Sequence, residues 1–350
     1  PKFTWIIKIL SKWPFAIFAV FAELWSVVIC STCYWQLANK IMNKRESSKY
    51  YIYLSTFGQI SLIFSPLVSF FFEKISFNYI VKEDFFIYYI SFICTFISII
   101  SFFLYKKTEK KFTICEEKKF TSNNNENYNF IKSIKYLISS KILTKLCIIT
   151  FSYSAIMSWS DGIITCMTKK MYENIYSLYN YKSKLLFCIG FFTLIFSFFG
   201  NFLIKKKGWK FITLSIPIVI LFTGTLFFIF SFLFEKNIIS NIFIVIFFAS
   251  IYTIFSKSIK YSLFDGTKEM IYLNLDFQTK KNGQVVVDII GDGVGKILGS
   301  GLQIFIFSFF PKKKHENLIE PIFILFFIVS VIWIYAIFFL EKNIKILKKN

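Results

Sequence analysis

The sequence has one histidine, His315, in the short stretch PKKKHENLIEP, and only 17% of its 350 residues are charged. A lone histidine between apolar runs removes histidine-based catalytic dyads and His-rich metal sites from consideration. Paired cysteine motifs are missing as well. Of the seven cysteines, Cys30 and Cys33 form one CxxC, with no second pair and no nearby histidine to complete a zinc site, so packing between helices is the reading for them. Acids are scarce, 20 Asp and Glu against 41 Lys and Arg, which gives a net charge of +21. A soluble domain carries about a quarter charged residues, and this shortfall excludes an ordinary soluble fold.

What is present is apolar: 55% hydrophobic residues, 49 of them Phe, and a mean hydropathy of +0.58. One soluble core cannot bury that much. The chain therefore reads as an all-α polytopic membrane protein, a facilitator-like bundle. Nine spanning segments are expected near 14–39, 50–72, 85–105, 142–165, 184–204, 211–232, 238–257, 285–310 and 321–340. The lysines concentrate in alternate connections, and the positive-inside rule puts those connections and the C-terminus in the cytoplasm. The polar, Asn-rich connection 106–141 divides the chain. Residues 1–105 form three helices of an N-terminal half, 106–141 a cytoplasmic linker, and 142–350 a six-helix C-terminal half. Two equal halves would require three further helices ahead of residue 1, for twelve in all. The bulk of the positive charge is assigned to loops, with affinity for polyanions as the alternative.

Charge inside an apolar run costs about 2.5–3.5 kcal/mol at mid-bilayer, so each case is a candidate for function. Glu23 stands alone in FAIFAVFAELWSVVICSTCYW, with a structural carboxylate as the plainer reading. Asp161 lies in FSYSAIMSWSDGIITCMTKKMY, towards the outer part of its helix, with an interfacial residue as the alternative. Residues 256–283 hold Lys257, Lys260, Asp265, Lys268, Glu269 and Asp276, and read as a solvated cytoplasmic connection and helix entry.

The run VVVDIIGDGVGKILGSG, 285–301, is superficially a phosphate loop. A Walker A motif fails there because Ile290 stands at the leading glycine position and Ile297 follows Lys296. A dinucleotide fingerprint fails at Lys296 and, in the other frame, at Leu298. Read as a helix, Gly291, Gly295 and Gly299 form one close-packing face, and Asp288, Asp292 and Lys296 form an acid, acid, base stripe beside it. A lysine at that depth suits a phosphate or a carboxylate, although an internal salt-bridged set that only fixes packing has the same pattern.

Two strings, KYSLFDGTKEMIYLNLD (260–276) and VVVDIIGDGVGKILGSGLQ (285–303), closely resemble the signature of the non-mitochondrial ATP/ADP translocases of plastids, chlamydiae, rickettsiae and microsporidia. FAELW (21–25), GIITCMTKKMY and NYKSKLLFCIGFFT follow in the family's order. The resemblance implies twelve helices and exchange of ATP for ADP by alternating access. It aligns Glu23 with the acid of the fourth helix, Asp161 with that of the seventh and Lys296 with the lysine of the eleventh. Lys296, with Lys260 and Lys268, would attract phosphates; Glu23 and Asp161 would tune the charge of the cavity and its opening.

The chain departs from the family pattern at Asp161, where Glu is usual, and at Thr165, where Lys is usual. It also has Val294 in place of an Arg and Asp292 in place of a Gly. A positive charge is lost and a negative one gained, which bears on selectivity. The implied partners are ATP, ADP and the lipid bilayer, with no nucleic acid, cofactor, metal or covalent chemistry. The Phe, Ile, Lys, Asn and Tyr bias together with the resemblance suggests a microsporidian parasite importing host ATP through its plasma membrane. Alternatives are the same fold carrying other nucleotides, net nucleotide–proton symport, and a degenerate paralogue that does not transport.

Overall fold

The computed structural model describes residues 34–42, 44–58, 60–67, 95–107, 137–172, 174–272, 286–309 and 319–347, with isolated positions elsewhere. Among them every regular element is helical. In chain order these are α1 (Tyr34–Ile41), α2 (Lys44–Gly58), α3 (Lys141–Met171), α4 (Ile175–Glu235), α5 (Ile242–Ile259), α6 (Asp265–Tyr272), α7 (Gly293–Phe309) and α8 (Ile319–Leu347). A π-helical turn, Lys260–Phe264, joins α5 to α6, and a second, Val287–Asp292, leads into α7. Most of the expected first span before Tyr34, the start of the third and residues 108–133 of the expected linker lie outside the described residues.

Length and composition make four described stretches long and apolar enough to cross a membrane: Lys141–Met171, Ser177–Glu235, Ile242–Tyr272 and Ile319–Lys342. The second of these is too long for one crossing, since 59 residues rise about 90 Å against a hydrocarbon core of about 30 Å. It divides at Gly208, whose φ of 82° lies in the left-handed region that a residue without Cβ enters at no steric cost. The halves on either side of Gly208 hold the expected segments 184–204 and 211–232. Elsewhere the helix ends follow local chemistry. Ser140 Oγ accepts from the Leu143 N–H at the start of α3, and Asn241 Oδ1 accepts from the Phe243 N–H at the start of α5. Glu320 stands in the first turn of α8, where a negative charge meets the helix dipole favourably.

One expectation is overturned. Residues 256–272, read as a solvated connection, continue α5 through the π-turn into α6, and Ser256, Ser258, Ser262, Thr267 and Glu269 are buried. The polar groups find partners inside the bundle, so the helix continues where hydropathy alone suggested it should end.

Helix α3 lies at the centre of the bundle. Its Tyr153 stacks on Phe264 at 5.4 Å and meets Trp333 of α8 edge-on at 6.1 Å. On the other side it receives the glycine face of α7. A Cβ on Gly295 would lie 2.8 Å from the Phe151 carbonyl oxygen, and one on Gly299 would lie 2.6 Å from Ser158 Cβ. Thr150 stands opposite Gly291, Ser154 opposite Gly295, Ser158 opposite Gly299 and Gln303 opposite Gly162, at a constant offset in sequence. The two helices therefore run parallel with backbones in near contact, as the small-xxx-small spacing predicts. Gln303 donates to the Trp159 carbonyl at 2.8 Å and fixes the register.

Helix α2 packs across the first π-turn. Ser55 Oγ donates to the Tyr261 carbonyl, and Gly266 lies against the backbone of Tyr51 and Ile52. Outward-facing Phe198, Phe222 and Ile297 are more than 60% exposed and supply the apolar exterior of an integral, multi-pass membrane protein.

Replacing Gly295 with Val is expected to force the α3 and α7 backbones apart, at a cost of about 1–3 kcal/mol and with a lower melting temperature in detergent. Gly293→Ala, with nothing within 4 Å of its added Cβ, should leave melting unchanged.

Candidate functional site

The intramembrane charges of α3, α5, α6 and α7 form a single column. Helix α7 runs parallel to α3, and α5 runs antiparallel to it, as the pairing of Lys260 with Tyr153 and of Lys257 with Asp161 shows. The column therefore has an order along the bundle axis, and its layers can be taken one at a time.

The first layer is the most deeply buried. Lys268 Nζ of α6 lies 2.6 Å from Asp288 Oδ1 in the second π-turn and 3.6 Å from Glu269 Oε1, while Gln284 donates to Glu269 Oε2 at 2.9 Å. The Lys268, Asp288 and Glu269 side chains are 10%, 9% and 0% exposed. Charge so far from water persists only when paired and hydrogen-bonded. The ammonium of Lys268 is thus shared between two carboxylates.

In the second layer Lys260 Nζ sits 5.4 Å from the Tyr153 ring centroid and 5.5 Å from that of Tyr261. It makes no ion pair among the described residues. Aromatic faces hold an ammonium in place without neutralising it. Across from it, Asp292 accepts from Ser154 Oγ and pairs with Lys296 Nζ at 3.0 Å. Lys296 forms the third layer. It lies one turn further along, where Ser158 Oγ faces its carbonyl oxygen at 3.5 Å, and its side chain is 46% exposed.

The last layer joins Asp161 of α3 to Lys257 of α5 at 3.4 Å, with side chains 46% and 29% exposed. The preceding residue, Ser160, donates to the buried Tyr252 hydroxyl at 2.9 Å and holds the two helices together.

The first layer is the most enclosed, and Lys296 and Asp161, both 46% exposed, are the most open. The column is buried at the Lys268 end and partly exposed at the Asp161 end. Gly283 lies against Leu143, in the first turn of α3, so the closed end is also the end at which α3 begins. Lys145 over Phe339 and Lys210 paired with Glu341 at 2.5 Å place the Gly208 turn and the end of α8 at that same end, which is rich in lysine.

The expected stripe of Asp288, Asp292 and Lys296 is divided between two partners. A π-turn takes more residues per turn than an α-helix, and over Val287–Asp292 it directs Asp288 to Lys268 and Asp292 to Ser154 and Lys296. Of the sequence candidates, Asp161, Lys260, Lys268, Asp288, Asp292 and Lys296 fall on this column, and Glu23 lies outside the described residues. Sequence reasoning left Lys257 and Glu269 among solvated charges and passed over Tyr153, Ser154 and Gln284. The one available signal was the three-residue spacing of Lys257 and Lys260 beyond an apolar helix, which keeps both on one face. Among the described residues no cluster of His, Cys, Asp and Glu has the arrangement to hold a metal.

Residues 1–344 match the family described as TLC ATP/ADP transporter. Similar curated proteins include ADP,ATP carrier protein 3 of Rickettsia felis, 29% identical, with the alignment covering 98% of this chain and 73% of the relative. ADP,ATP carrier protein 3 of Rickettsia prowazekii shows the same identity and coverage. ADP,ATP carrier protein 1 of Rickettsia typhi is 29% identical, with 99% and 72% covered. No solved structure matches.

A double-mutant cycle of Asp161→Asn and Lys257→Gln is expected to give a coupling of about 0.5 kcal/mol in thermal unfolding, because both groups meet water. Ser154→Ala, which strips a hydrogen bond from the more enclosed Asp292, should cost about 1.5 kcal/mol or more.

Proposed function

The chain belongs to the TLC ATP/ADP transporter family, and from that premise we propose that it exchanges ATP for ADP by alternating access. The observation that carries the reading is the gathering of Lys260 and Lys296 about Asp292, with the partly exposed Asp161–Lys257 pair beyond them; the space between them is taken as the substrate chamber. A nucleotide presents a chain of phosphate oxygens, and ammonium groups attract them as compact point charges. Lys260 lies against aromatic rings with no ion pair closer than 4 Å among the described residues, and the carboxylates of Asp265 and Asp292 attract it from further off, so an incoming anion competes with them for it. Lys296 exchanges Asp292 for phosphate, and Asp292 keeps the Ser154 hydrogen bond while it does so.

Asp161 and Lys257 stand at the exposed mouth. Their loose pair opens at low cost and sets the charge that the nucleotide meets on entry. By the family resemblance, Glu23 tunes the charge along the substrate path. This reading involves positioning and electrostatics and breaks no bond in the substrate.

The lysine-rich end, with the C-terminus, is the cytoplasmic face. The chamber of the described conformation then faces outwards, in the orientation for importing host ATP across a parasite plasma membrane. Asp292 and Val294 leave this chamber less positive than the family pattern, which favours a cargo of lower charge as the second reading.

In the full-length protein expressed in a bacterium, Lys296→Ala is expected to reduce uptake of labelled ATP to background, and Lys260→Ala to raise the apparent KM about tenfold or more. Unchanged uptake in both variants would remove the column from the substrate path. Competition by a panel of nucleotides reads the cargo, and counterflow from ADP-loaded cells separates exchange from proton-coupled import. Binding without uptake by the parent protein identifies a non-transporting paralogue.

A further inference from the structure

The first layer of the column has a different environment from the rest. Lys268, Glu269, Gln284 and Asp288 are enclosed, whereas Lys257, Lys296 and Asp161 are partly exposed. These four residues also join two particular segments. Lys268 and Glu269 follow the π-turn Lys260–Phe264, and Gln284 and Asp288 lie at the entry to the π-turn Val287–Asp292. Each π-turn replaces i→i+4 hydrogen bonding with the less stable i→i+5 pattern, a form found at functional sites within helices.

Charge links the two turns, since Lys260 of one and Asp292 of the other attract each other. The ion pair joins the second turn, through Asp288, to the helix that follows the first, through Lys268. Beside it the Tyr272 hydroxyl is fully buried and has no hydrogen-bond partner among the described residues. An unpaired buried donor calls for an explanation, and a second arrangement in which a carboxylate of this layer accepts from Tyr272 supplies one.

We propose that Lys268, Asp288, Glu269 and Gln284 form the latch of a gate that closes the lysine-rich end of the chamber, with the two π-turns as its hinges. With the latch made, the chamber communicates only with the Asp161 end. When the Lys268–Asp288 contact parts, α6 and the entry to α7 swing about their π-turns while the glycine-packed contact of α7 with α3 stays fixed. An anion seated at Lys260 weakens the latch, because it repels Asp288 and attracts Lys268 across a low-dielectric floor. In this respect the inference rests on the nucleotide reading above. Opening that depends on an occupied chamber is what makes a carrier an exchanger and not a leak, since the empty chamber stays latched.

Cys147 is the internal reporter. It lies on α3 beside Gly291, its carbonyl oxygen 3.3 Å from where a Cβ on that glycine would stand, and it is partly buried as a free thiol. Cys166 and Cys188, elsewhere on α3 and α4, serve as references. Maleimide labelling of the purified full chain, read by peptide mass spectrometry, is expected to be slow at Cys147 in the parent. In Asp288→Asn and in Gln284→Ala it should be about tenfold faster, with Cys166 and Cys188 unchanged. Asp288→Asn leaves Lys268 opposite Glu269, so no uncompensated charge is created. The exchanged pair, Lys268→Asp with Asp288→Lys, should return labelling towards the parent rate, which loss of packing alone would not do.

Proteoliposomes loaded with labelled nucleotide give the second measurement. The parent should release label only when nucleotide is added outside, and the two single variants should release it into nucleotide-free buffer. Parental labelling and parental dependence on counter-nucleotide in variants that melt normally would overturn the gate. A parent that exchanges no nucleotide, but whose Cys147 responds to the latch variants as described, would overturn the cargo reading and leave the gate standing.

Discussion

The close parallel contact of α7 with α3 is the constraint on which the rest depends. Because Gly291, Gly295 and Gly299 have no side chains, the backbones approach until Ser154 Oγ reaches Asp292 and Ser158 faces the Lys296 carbonyl. With side chains on that face the helices would stand further apart, and Asp292 would lose its hydroxyl partner within the membrane. The glycine face thus does two things. It supplies packing that lipid-exposed helices cannot obtain from the hydrophobic effect, and it sets the depth at which a carboxylate and an ammonium sit beside the chamber.

The charges differ in cost, and the difference separates their roles. A half-exposed pair such as Asp161–Lys257 is held weakly, because water solvates both partners when they part. The buried pair Lys268–Asp288 has no such alternative and breaks only when other charge or hydrogen bonding replaces what is lost. Lys260 is of a third kind, an ammonium against the faces of Tyr153 and Tyr261, with Asp265 and Asp292 attracting it from beyond ion-pair distance. One column therefore holds charge in three environments: a half-exposed pair, an enclosed pair and an ammonium among aromatic rings.

Much of the architecture could be read from the sequence. The hydrophobic runs located the helices on either side of Gly208, and the four-residue glycine spacing correctly predicted a close-packed face. The site was only partly legible. Lys257 and Lys268 looked like solvated lysines because hydropathy registers a charge without registering its partner. Their partners, Asp161 and Asp288, stand far from them along the chain. The π-turns left no trace in composition. Their effect, sending Asp288 and Asp292 to different partners, is a matter of backbone hydrogen-bond register.

The sequence by itself determined that this is a membrane protein, where most of its described helices run, which face of α7 packs, and through its motifs which family it resembles. These are local properties, fixed by how residues a few positions apart partition between water and lipid. Only the tertiary structure decided which lysine pairs with which acid, which stays among aromatic rings, and which end of the column is shut. Those outcomes depend on pairwise electrostatics in a medium of low dielectric, where an ångström of separation or one residue of helical register decides whether a charge is held or left to meet a ligand.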